Sequence, residues 1–438
     1  MRRLTLFAFI IGAWLQAAAQ QAREWNLTEC VQYALAHNLN IRQQEDNVRL
    51  QEISLSTSRN SRLPDLNGSI GENFSFGRAL TSDNTYLNRN TNSTSFSLGT
   101  SVPLITGGRI PADIKMRKLN LQAALQDYAH ARENVALSVT SSYLEAIYQK
   151  DLVQVAERQV ELSRAQVRRM ELLYQNDKAS EAELSQIRAT LANDELSLTQ
   201  QRNSYLLALL ELSQLLELET PDGFDVIRPE VGDVKGEELP SPELVYSEAV
   251  GVKPEILAEQ IRLQSAEKSV VVAKSALFPS LYFNAGIGTS YYNTSGYSVA
   301  NFGSQLRDNF NQYFGVSLSV PIFNRLATRN NIRAARLQVH TQQLRLDQTK
   351  KSLYKEIQQA YYNAVAASRQ CESSDAALAS AHTAFELMQR KYENGKATVT
   401  DFQDAKTRYL RAESGQIQAR YTYLFRQKIL DFYRGRKI

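Results

Sequence analysis

The chain contains few of the residues from which disulfide scaffolds and metal centres are built. Its 438 residues include two cysteines, Cys30 and Cys371, and four isolated histidines. An exported chain could join the two cysteines, but each lies in a helical pattern that needs no covalent link, which favours free thiols. The histidines lack metal-ligand spacing, and no phosphate loop or nucleophile elbow is present. The sequence therefore predicts no catalytic site, no metal site and no cofactor.

An excess of charge of either sign is also absent, as are long apolar runs beyond the N-terminus. Without Arg2 and Arg3, 48 basic residues stand against 46 acidic ones, so nothing suggests nucleic acid as a partner. After residue 15, no apolar stretch reaches the length of a transmembrane helix, about 20 residues. An exported chain of this kind either remains soluble or crosses a membrane as a β-barrel.

The N-terminus has the three parts of a secretory signal peptide. A basic start is followed by an apolar run at 4–15 and by the small residues that a signal peptidase reads at 17–19. We therefore expect residues 1–19 to be a signal peptide, with cleavage before Gln20. Because no cysteine stands at the cleavage point, a lipid anchor is not expected there.

An internal repeat organises the rest of the chain. A shift of 218 residues places Pro103 on Pro321 and Tyr174 on Tyr392, without a gap between these points. Each repeat reads as helix, two strands, long helix, turn and helix. The chain therefore has three expected parts: repeat 1 at 20–218, a linker or equatorial segment at 219–240, and repeat 2 at 241–438.

The expected elements have similar lengths in the two repeats. Repeat 1 has strands at about 66–77 and 94–104 and helices at 107–175 and 180–217. Repeat 2 has strands at about 281–292 and 313–322 and helices at 325–393 and 398–434. The connections between the paired strands, about 77–94 and 293–312, are rich in Asn, Ser and Thr and are expected to be exterior loops.

The long helices are typical of coiled-coil hairpins. About 65 helical residues form a rod of roughly 100 Å, and apolar residues recur at spacings of three and four, which indicates packing against partner helices. The long helices end in similar turns, Tyr174–Ser180 and Tyr392–Thr398. Gly395 suits the left-handed conformation that ends a helix. Acidic residues three positions after Ser or Thr, Glu183 and Asp401, predict capping boxes at the next helices.

The four strand segments alternate apolar residues with small or polar ones. In 96–104, for example, Phe, Leu, Thr, Val and Leu alternate with Ser, Gly, Ser and Pro. Each segment has about 9–11 residues, the length of a tilted membrane-spanning strand, and its small polar face suits a wet lumen. A soluble sandwich of hairpins is the alternative that the pattern alone allows.

Four strands are too few to close a membrane barrel, because the smallest barrels have about eight. An open edge in lipid would leave backbone groups unpaired, at several kcal/mol each. Three chains supply twelve strands, whereas two chains supply eight and leave little lumen. The expected fold class is therefore an α+β membrane protein with two structural repeats. Its long antiparallel helical hairpins accompany four strands of a trimeric, twelve-stranded outer-membrane β-barrel.

Doubled proline junctions carry a resemblance to a known family. Pro103 and Pro321 follow a valine at the strand-to-helix junctions, Pro64 and Pro279 mark the helix-to-strand junctions, and Tyr392–Gly395 is a Tyr-x-x-Gly turn. In their order and spacing, these features resemble the TolC-like outer membrane efflux protein family. The resemblance implies a homotrimeric outer-membrane channel with its helical part in the periplasm. It implies a periplasmic adaptor (a membrane fusion protein), an inner-membrane transporter of the RND or ABC type, and outer-membrane lipid as partners.

The resemblance also implies functional residues at the periplasmic tip. Asp401 and Asp404 stand where relatives carry acidic residues, and threefold symmetry would make of them two carboxylate rings that favour cations. Asp401 also fits a capping box, which explains it without a gate. In some relatives a basic residue at the position of Ala397 holds the periplasmic tip closed, and this chain lacks that basic residue. The expected tip-turn and adaptor-contact residues are Tyr174, Lys178, Tyr392, Gly395 and Lys396.

Two other functions fit part of the sequence. A periplasmic coiled-coil scaffold or adaptor-like protein would explain the helical hairpins, but not four membrane-length strands with small polar faces. A cell-wall hydrolase would require a catalytic constellation that the sequence does not contain. We therefore predict an export duct, not an enzyme, that passes drugs, ions or secreted substrates to the exterior.

Overall fold

The computed structural model describes residues 23–80, 84–220, 223–228, 239–296 and 298–436. The predicted signal peptide, residues 1–19, lies outside the described residues, as does much of the predicted linker at 219–240. The helices are α1 (Leu27–His37), α2 (Leu39–Asn60), α3 (Arg109–Gln175), α4 (Glu181–Leu215), α5 (Pro242–Val252), α6 (Pro254–Ser275), α7 (Phe302–Asp308), α8 (Ala327–Glu393) and α9 (Val399–Tyr433). The strands are β1 (Arg23–Trp25), β2 (Asn67–Leu80), β3 (Tyr86–Thr106), β4 (Phe224–Val226), β5 (Ser280–Thr294) and β6 (Asn311–Ser319).

The chain divides into two compact units that cut across the sequence repeats. Unit 1 comprises Met1–Asp46, Gln126–Leu257 and Gln348–Ile438, and unit 2 comprises Asn47–Leu125 and Ala258–Asp347. Each unit takes segments from both repeats. A repeat is therefore an evolutionary or topological unit here, and not a separately packed domain.

Unit 1 has a helical core with a two-stranded sheet attached to it. β1 and β4 pair in parallel, with Trp25 opposite Val226. The hydroxyl of Tyr143 on α3, which is 1% exposed, lies 2.6 Å from the Ile227 carbonyl oxygen and 3.1 Å from the Trp25 carbonyl oxygen, which share its one hydrogen. The Trp25 carbonyl also accepts a hydrogen bond from the Ile227 N–H at 3.0 Å, so Tyr143 joins the end of the short sheet to α3. Cys30 is fully buried in the same core and has a free thiol, as has Cys371.

The helices α4 and α9, which follow the two turns, begin with the capping boxes that the sequence predicts. Before α4, the Ser180 side chain accepts a hydrogen bond from the Glu183 N–H, and the Glu183 carboxylate accepts one from the Ser180 N–H. Thr398 and Asp401 form the same arrangement before α9. Both predicted capping boxes are confirmed. Each satisfies two backbone N–H groups that a helix start otherwise leaves without a partner.

Positive φ angles repeat with the sequence. Four pairs of residues related by the 218-residue shift are left-handed in both copies: Gly107 and Arg325, Gly108 and Leu326, Asp177 and Gly395, and Glu217 and Gly435. Backbone conformation is thus kept where the residue type is not. The left-handed conformation predicted for Gly395 is confirmed, at φ 70°.

Unit 2 contains a four-stranded antiparallel sheet in the order β2-β3-β5-β6. The C-terminal ends of β3 and β6 and the start of β5 lie at the same end of the sheet. Thr106 lies opposite Ser280, and Ser280 lies opposite Ser319. No helix in the described part of the chain has both the length and the apolar character of a membrane span.

The connections between the strands differ from those expected. The loop expected at 77–94 is much shorter, because β2 continues to Leu80 and β3 already begins at Tyr86. The reason is that ladder hydrogen bonds join backbone groups and therefore continue through Asn- and Ser-rich sequence. The loop expected at 293–312 contains the short helix α7. β6 ends at Ser319, before the expected limit of 322.

Candidate functional site

One face of the unit 2 sheet is apolar and exposed. Directly opposed residues point to the same face, and the register places Ile70 beside Phe96 and Val316 beside Phe283 on this face. The exposed fraction is 76% for Ile70, 62% for Val316 and 84% for Phe314. Burying one such side chain is worth about 2 kcal/mol. The face therefore favours an apolar environment such as lipid.

The opposite face of the same sheet carries small and polar side chains. The Ser69 and Ser97 hydroxyl oxygens are 2.7 Å apart, and Asn284 donates to the Ser317 hydroxyl at 3.0 Å. The Tyr313 side chain crosses Gly286, where an added Cβ would lie 2.8 Å from the Tyr313 hydroxyl. Polar groups of this kind remain satisfied in contact with water.

Each of the two outer strands of the sheet has one side without a partner strand. β2 and β6 stand at the ends of the strand order, and within the described chain neither has a second neighbouring strand. Unpaired edge groups are tolerated in water but cost several kcal/mol each in lipid. A sheet with an apolar face and two open edges therefore requires further strands from other copies.

The four junction prolines do not all have the same setting. Pro64, Pro279 and Pro321 lie in connections between a helix and a strand, as the sequence predicts. Pro103 instead lies within β3, which ends at Thr106, next to an irregularity in the pairing with β5. A proline is tolerated in a strand at such a point, because the missing N–H falls where the regular ladder is interrupted.

The two hairpin tips have the same backbone hydrogen bonds. The Lys178 N–H donates to the Leu173 carbonyl at 2.8 Å, and the Lys396 N–H donates to the Lys391 carbonyl at 2.8 Å. With a left-handed residue just before each lysine, this is the Schellman arrangement that ends a helix. The side chains of Tyr174, which is 42% exposed, and of both lysines are open to solvent.

The second tip is packed more closely than the first. Tyr392 stacks on Phe402 with ring centroids 4.9 Å apart, and the Arg169 guanidinium lies 5.5 Å from the Tyr392 ring centre. Arg169 also donates to the Glu393 carbonyl at 2.9 Å. Burial raises the pKa of Tyr392. Tyr392 is therefore held against α3, whereas its counterpart Tyr174 is exposed.

Asp401 and Asp404 lie on the exposed side of α9, while Phe402 and Lys406 are buried. The Thr398 hydroxyl and N–H both donate to Asp401 Oδ2, at 2.6 Å and 3.2 Å, and these bonds lower the pKa of Asp401. The Asp404 carboxylate is 2.7 Å from the guanidinium of Arg408, in a pair that is largely exposed. Each carboxylate thus already has a partner within the chain.

A buried lysine links the second hairpin to the first. Lys406 of α9 is 1% exposed, and its Nζ donates to Ser163 Oγ at 2.6 Å and to Asp194 Oδ2 at 3.2 Å. Gln159 donates to the other Asp194 oxygen at 3.1 Å. Burial lowers the pKa of Lys406, and the Asp194 carboxylate opposes that shift. Its counterpart in repeat 1, Arg188, is on the surface, so the sequence alone contains no signal for this network.

Further polar contacts join α9 to α3 along the same side. Gln403 donates to Gln166 at 3.3 Å, and Tyr421 donates to Asp151 at 2.8 Å. Because the two helices are antiparallel, contacts that move toward the C-terminus of α9 move toward the N-terminus of α3. No group of three or more metal-ligating side chains occurs in the ranges that the structure describes.

The family model for outer membrane efflux proteins matches residues 30–217 and 245–436. The chain belongs to the outer membrane efflux protein family. The pyoverdine export outer membrane protein OpmQ of Pseudomonas putida is 24% identical over 73% of this chain and 65% of that protein. TolC of Escherichia coli is 21% identical over 96% of this chain and 84% of that protein. The fold matches the Campylobacter jejuni CmeC outer membrane channel with a TM-score of 0.79 and 19% identity, covering 93% of this chain and 85% of CmeC.

Membership in the outer membrane efflux protein family explains the open sheet. Each chain is one subunit of a trimeric outer-membrane export duct, and its helical part lies in the periplasm. Channels of this family are homotrimers that work with adaptors and inner-membrane pumps. The apolar sheet face then faces lipid, and the strands of the other two copies complete the edges of β2 and β6.

Proposed function

We propose that the trimer is the exit duct for solutes that a periplasmic adaptor and an inner-membrane pump, of the RND or ABC type, deliver to its helical tip. The single observation from which we argue the entrance of this duct is the pair of exposed carboxylates, Asp401 and Asp404, beside the second tip. An adaptor of the membrane fusion class would contact the exposed turn residues Tyr174, Lys178 and Lys396. Tyr392 and Gly395 would set the shape of the contact surface.

The carboxylates form a cation-favouring entrance in this proposal. Asp401 and Asp404 are three residues apart on α9 and share one side of the helix. Around a threefold axis they would make two rings of three carboxylates each, which attract cations and repel anions. The Asp404–Arg408 pair is exposed, and such pairs are worth only about 0–1 kcal/mol. Asp404 is therefore free to exchange Arg408 for a passing cation.

The cargo is set by the pump rather than by the duct. The polar sheet face has neutral side chains such as Ser97 and Asn284, which do not select strongly among solutes. OpmQ of Pseudomonas putida is described as a pyoverdine export protein. For this chain we propose drugs, ions or secreted small molecules, with neutral and cationic solutes passing the tip more readily than anions.

The double substitution Asp401→Ala with Asp404→Ala tests the entrance. We expect higher single-channel conductance or a lower cation preference in planar bilayers. The matched control is Glu183→Ala with Gln186→Ala at the corresponding positions of the first repeat, which also removes a capping box. Conductance and selectivity that are unchanged by the first pair, or changed equally by both, would show that Asp401 and Asp404 do not line the entrance.

A further inference from the structure

The helix ends next to the sheet carry a concentration of basic residues. We define the basic belt as the segments 57–66, 107–118, 266–279 and 323–336, which join the strands of unit 2 to their helices. The belt has twelve basic residues and three acidic ones, whereas the rest of the chain has more acidic than basic residues. Ten of the twelve basic side chains are exposed.

The clearest part of the belt is a stripe of arginines at the start of α8. Arg329, Arg333 and Arg336 are spaced by four and three residues, so they share one side of α8. Arg325 lies two residues before the helix, and all four side chains are exposed. Like charges at this spacing disfavour a helix. The stripe therefore does not stabilise α8, and an anion bound beside it would relieve the repulsion.

Most basic residues of the belt form no ion pair within the described part of the chain. In the described ranges, Arg117 alone among the twelve basic residues forms an ion pair, with its Nε 3.6 Å from Asp113 Oδ1. By contrast, Arg164, further along α3, is paired with Glu195 at 2.8 Å. The absence of such partners in the belt leaves its charge available to a ligand.

A cleft of about 450 Å³ opens within the belt between α2, α3 and α6. Arg109 and Arg117 supply its basic groups. Asp113 is the acidic group, and it accepts a hydrogen bond from the Ser58 hydroxyl at 2.6 Å. The cleft has the size of a ligand pocket, and a guanidinium group matches the oxygens of a phosphate group.

Exposed apolar residues lie where the belt meets the strands. Ile105 and Phe278 are each 57% exposed, Phe323 is 76% exposed and Ile322 is 93% exposed. The chain therefore passes from an apolar sheet face, through aromatic and aliphatic residues, to unpaired basic residues. Hydrocarbon, interface and phosphate layers of a membrane follow one another in the same order.

We propose that the basic belt binds the phosphate groups of anionic phospholipids in the membrane leaflet that faces the periplasm, and that the cleft holds one such headgroup. The proposal rests on the outer-membrane location of the chain and not on adaptor-fed transport. Bound headgroups would neutralise the arginine stripe and fix the depth of the barrel in the membrane.

Lipid quenching of an introduced tryptophan tests the proposal. The described chain has one tryptophan, Trp25, which is 9% exposed in unit 1, so Phe323→Trp adds a reporter beside the stripe. The trimer is reconstituted in vesicles of brominated phosphatidylcholine or brominated phosphatidylglycerol. We expect stronger quenching by phosphatidylglycerol at low salt, and a preference that falls as salt shortens the Debye length from about 30 Å at 0.01 M to about 8 Å at 0.15 M.

Substitutions in the reporter background identify the basic groups. Arg329→Gln with Arg333→Gln should lower the preference for phosphatidylglycerol, by up to about fivefold for each arginine. The control is Arg369→Gln with Arg390→Gln, two exposed arginines of the same helix in unit 1, which should leave it unchanged. Equal quenching by the two lipids, quenching by neither, or a preference that survives the first pair would overturn the proposal. Single-channel conductance of the same samples reports separately on the duct.

Discussion

Lys406 and Asp194 form an ion pair in the interior of unit 1, with 3.2 Å between Lys406 Nζ and Asp194 Oδ2. The lysine is on α9 of the second repeat, and the aspartate is on α4 of the first. Their side chains are 1% and 16% exposed. A buried pair adds little net stability, because desolvation offsets the attraction, but removing one partner is costly. The pair therefore fixes how the second hairpin lies on the first.

Lys406→Met should destabilise the packing of α9 near the second tip. The substitution leaves the Asp194 carboxylate without a counterion in a mostly buried site, which we expect to cost about 3 kcal/mol. It also removes one of the polar contacts that hold α9 beside α3, and its contact with Asp194 of α4. The expected result is a lower midpoint of thermal unfolding, followed by circular dichroism, together with more frequent high-conductance events in bilayers.

Arg188→Met is the matched control for Lys406→Met. Arg188 occupies the same repeat position, but its pair with Glu171 at 2.7 Å is on the surface, with side chains 58% and 37% exposed. Exposed pairs are worth about 0–1 kcal/mol, so the midpoint should hardly move. Equal losses in the two variants would refute a special role for the buried lysine.

The charge of Asp401 should persist in mild acid. In an Asp404→Asn variant, Asp401 is the remaining carboxylate of the proposed entrance. Hydrogen bonds from Thr398 lower the pKa of Asp401 below its usual value near 3.9. Its ionised form therefore contributes to helix capping above the unfolded-state pKa, and this contribution is lost as the pH falls through the folded-state pKa.

Cation preference in the Asp404→Asn variant should follow the same titration. We expect reversal potentials in a salt gradient to stay constant from pH 7 to about pH 4 and to change only below that. A midpoint above pH 4 would show that another group governs selectivity. The variant Asp401→Asn with Asp404→Asn supplies the baseline, because it has no titrating carboxylate at either position.

The stability of the second tip should depend on the backbone conformation of Gly395 rather than on the space around this residue. Gly395 has φ 70°, and no atom lies within 4 Å of an added Cβ. Gly395→Val should therefore lose about 1–2 kcal/mol from backbone conformation alone. Gly395→Asp should lose less, because Asp177 adopts φ 57° at the corresponding position. The thermal midpoint and export of a fluorescent drug from cells measure the two effects, and equal behaviour of both variants would contradict this account.

Local sequence patterns predicted the elements of the fold well, because helices, caps and alternating strands are specified by nearby residues. The capping residues Glu183 and Asp401 are examples, since their partners are three positions away. The burial of Lys406 was not predictable, because it depends on Asp194, 212 residues earlier in the chain. The long strands β2 and β3 were underestimated because their outer parts pair through the backbone, which leaves no alternation to recognise.

Gly107 and Gly108 should respond differently to alanine, although both have positive φ, 58° and 82°. A Cβ at Gly107 would lie 2.6 Å from the Ser275 carbonyl oxygen and 2.7 Å from Phe278 Cβ, whereas one at Gly108 meets no atom within 4 Å. Gly108→Ala should therefore cost about 1 kcal/mol from conformation. Gly107→Ala should cost clearly more, because the strand-to-helix connection must also move away from α6. Heat resistance of the trimer on gels compares the two variants, and equal losses would mean that the close approach at Gly107 relaxes without cost.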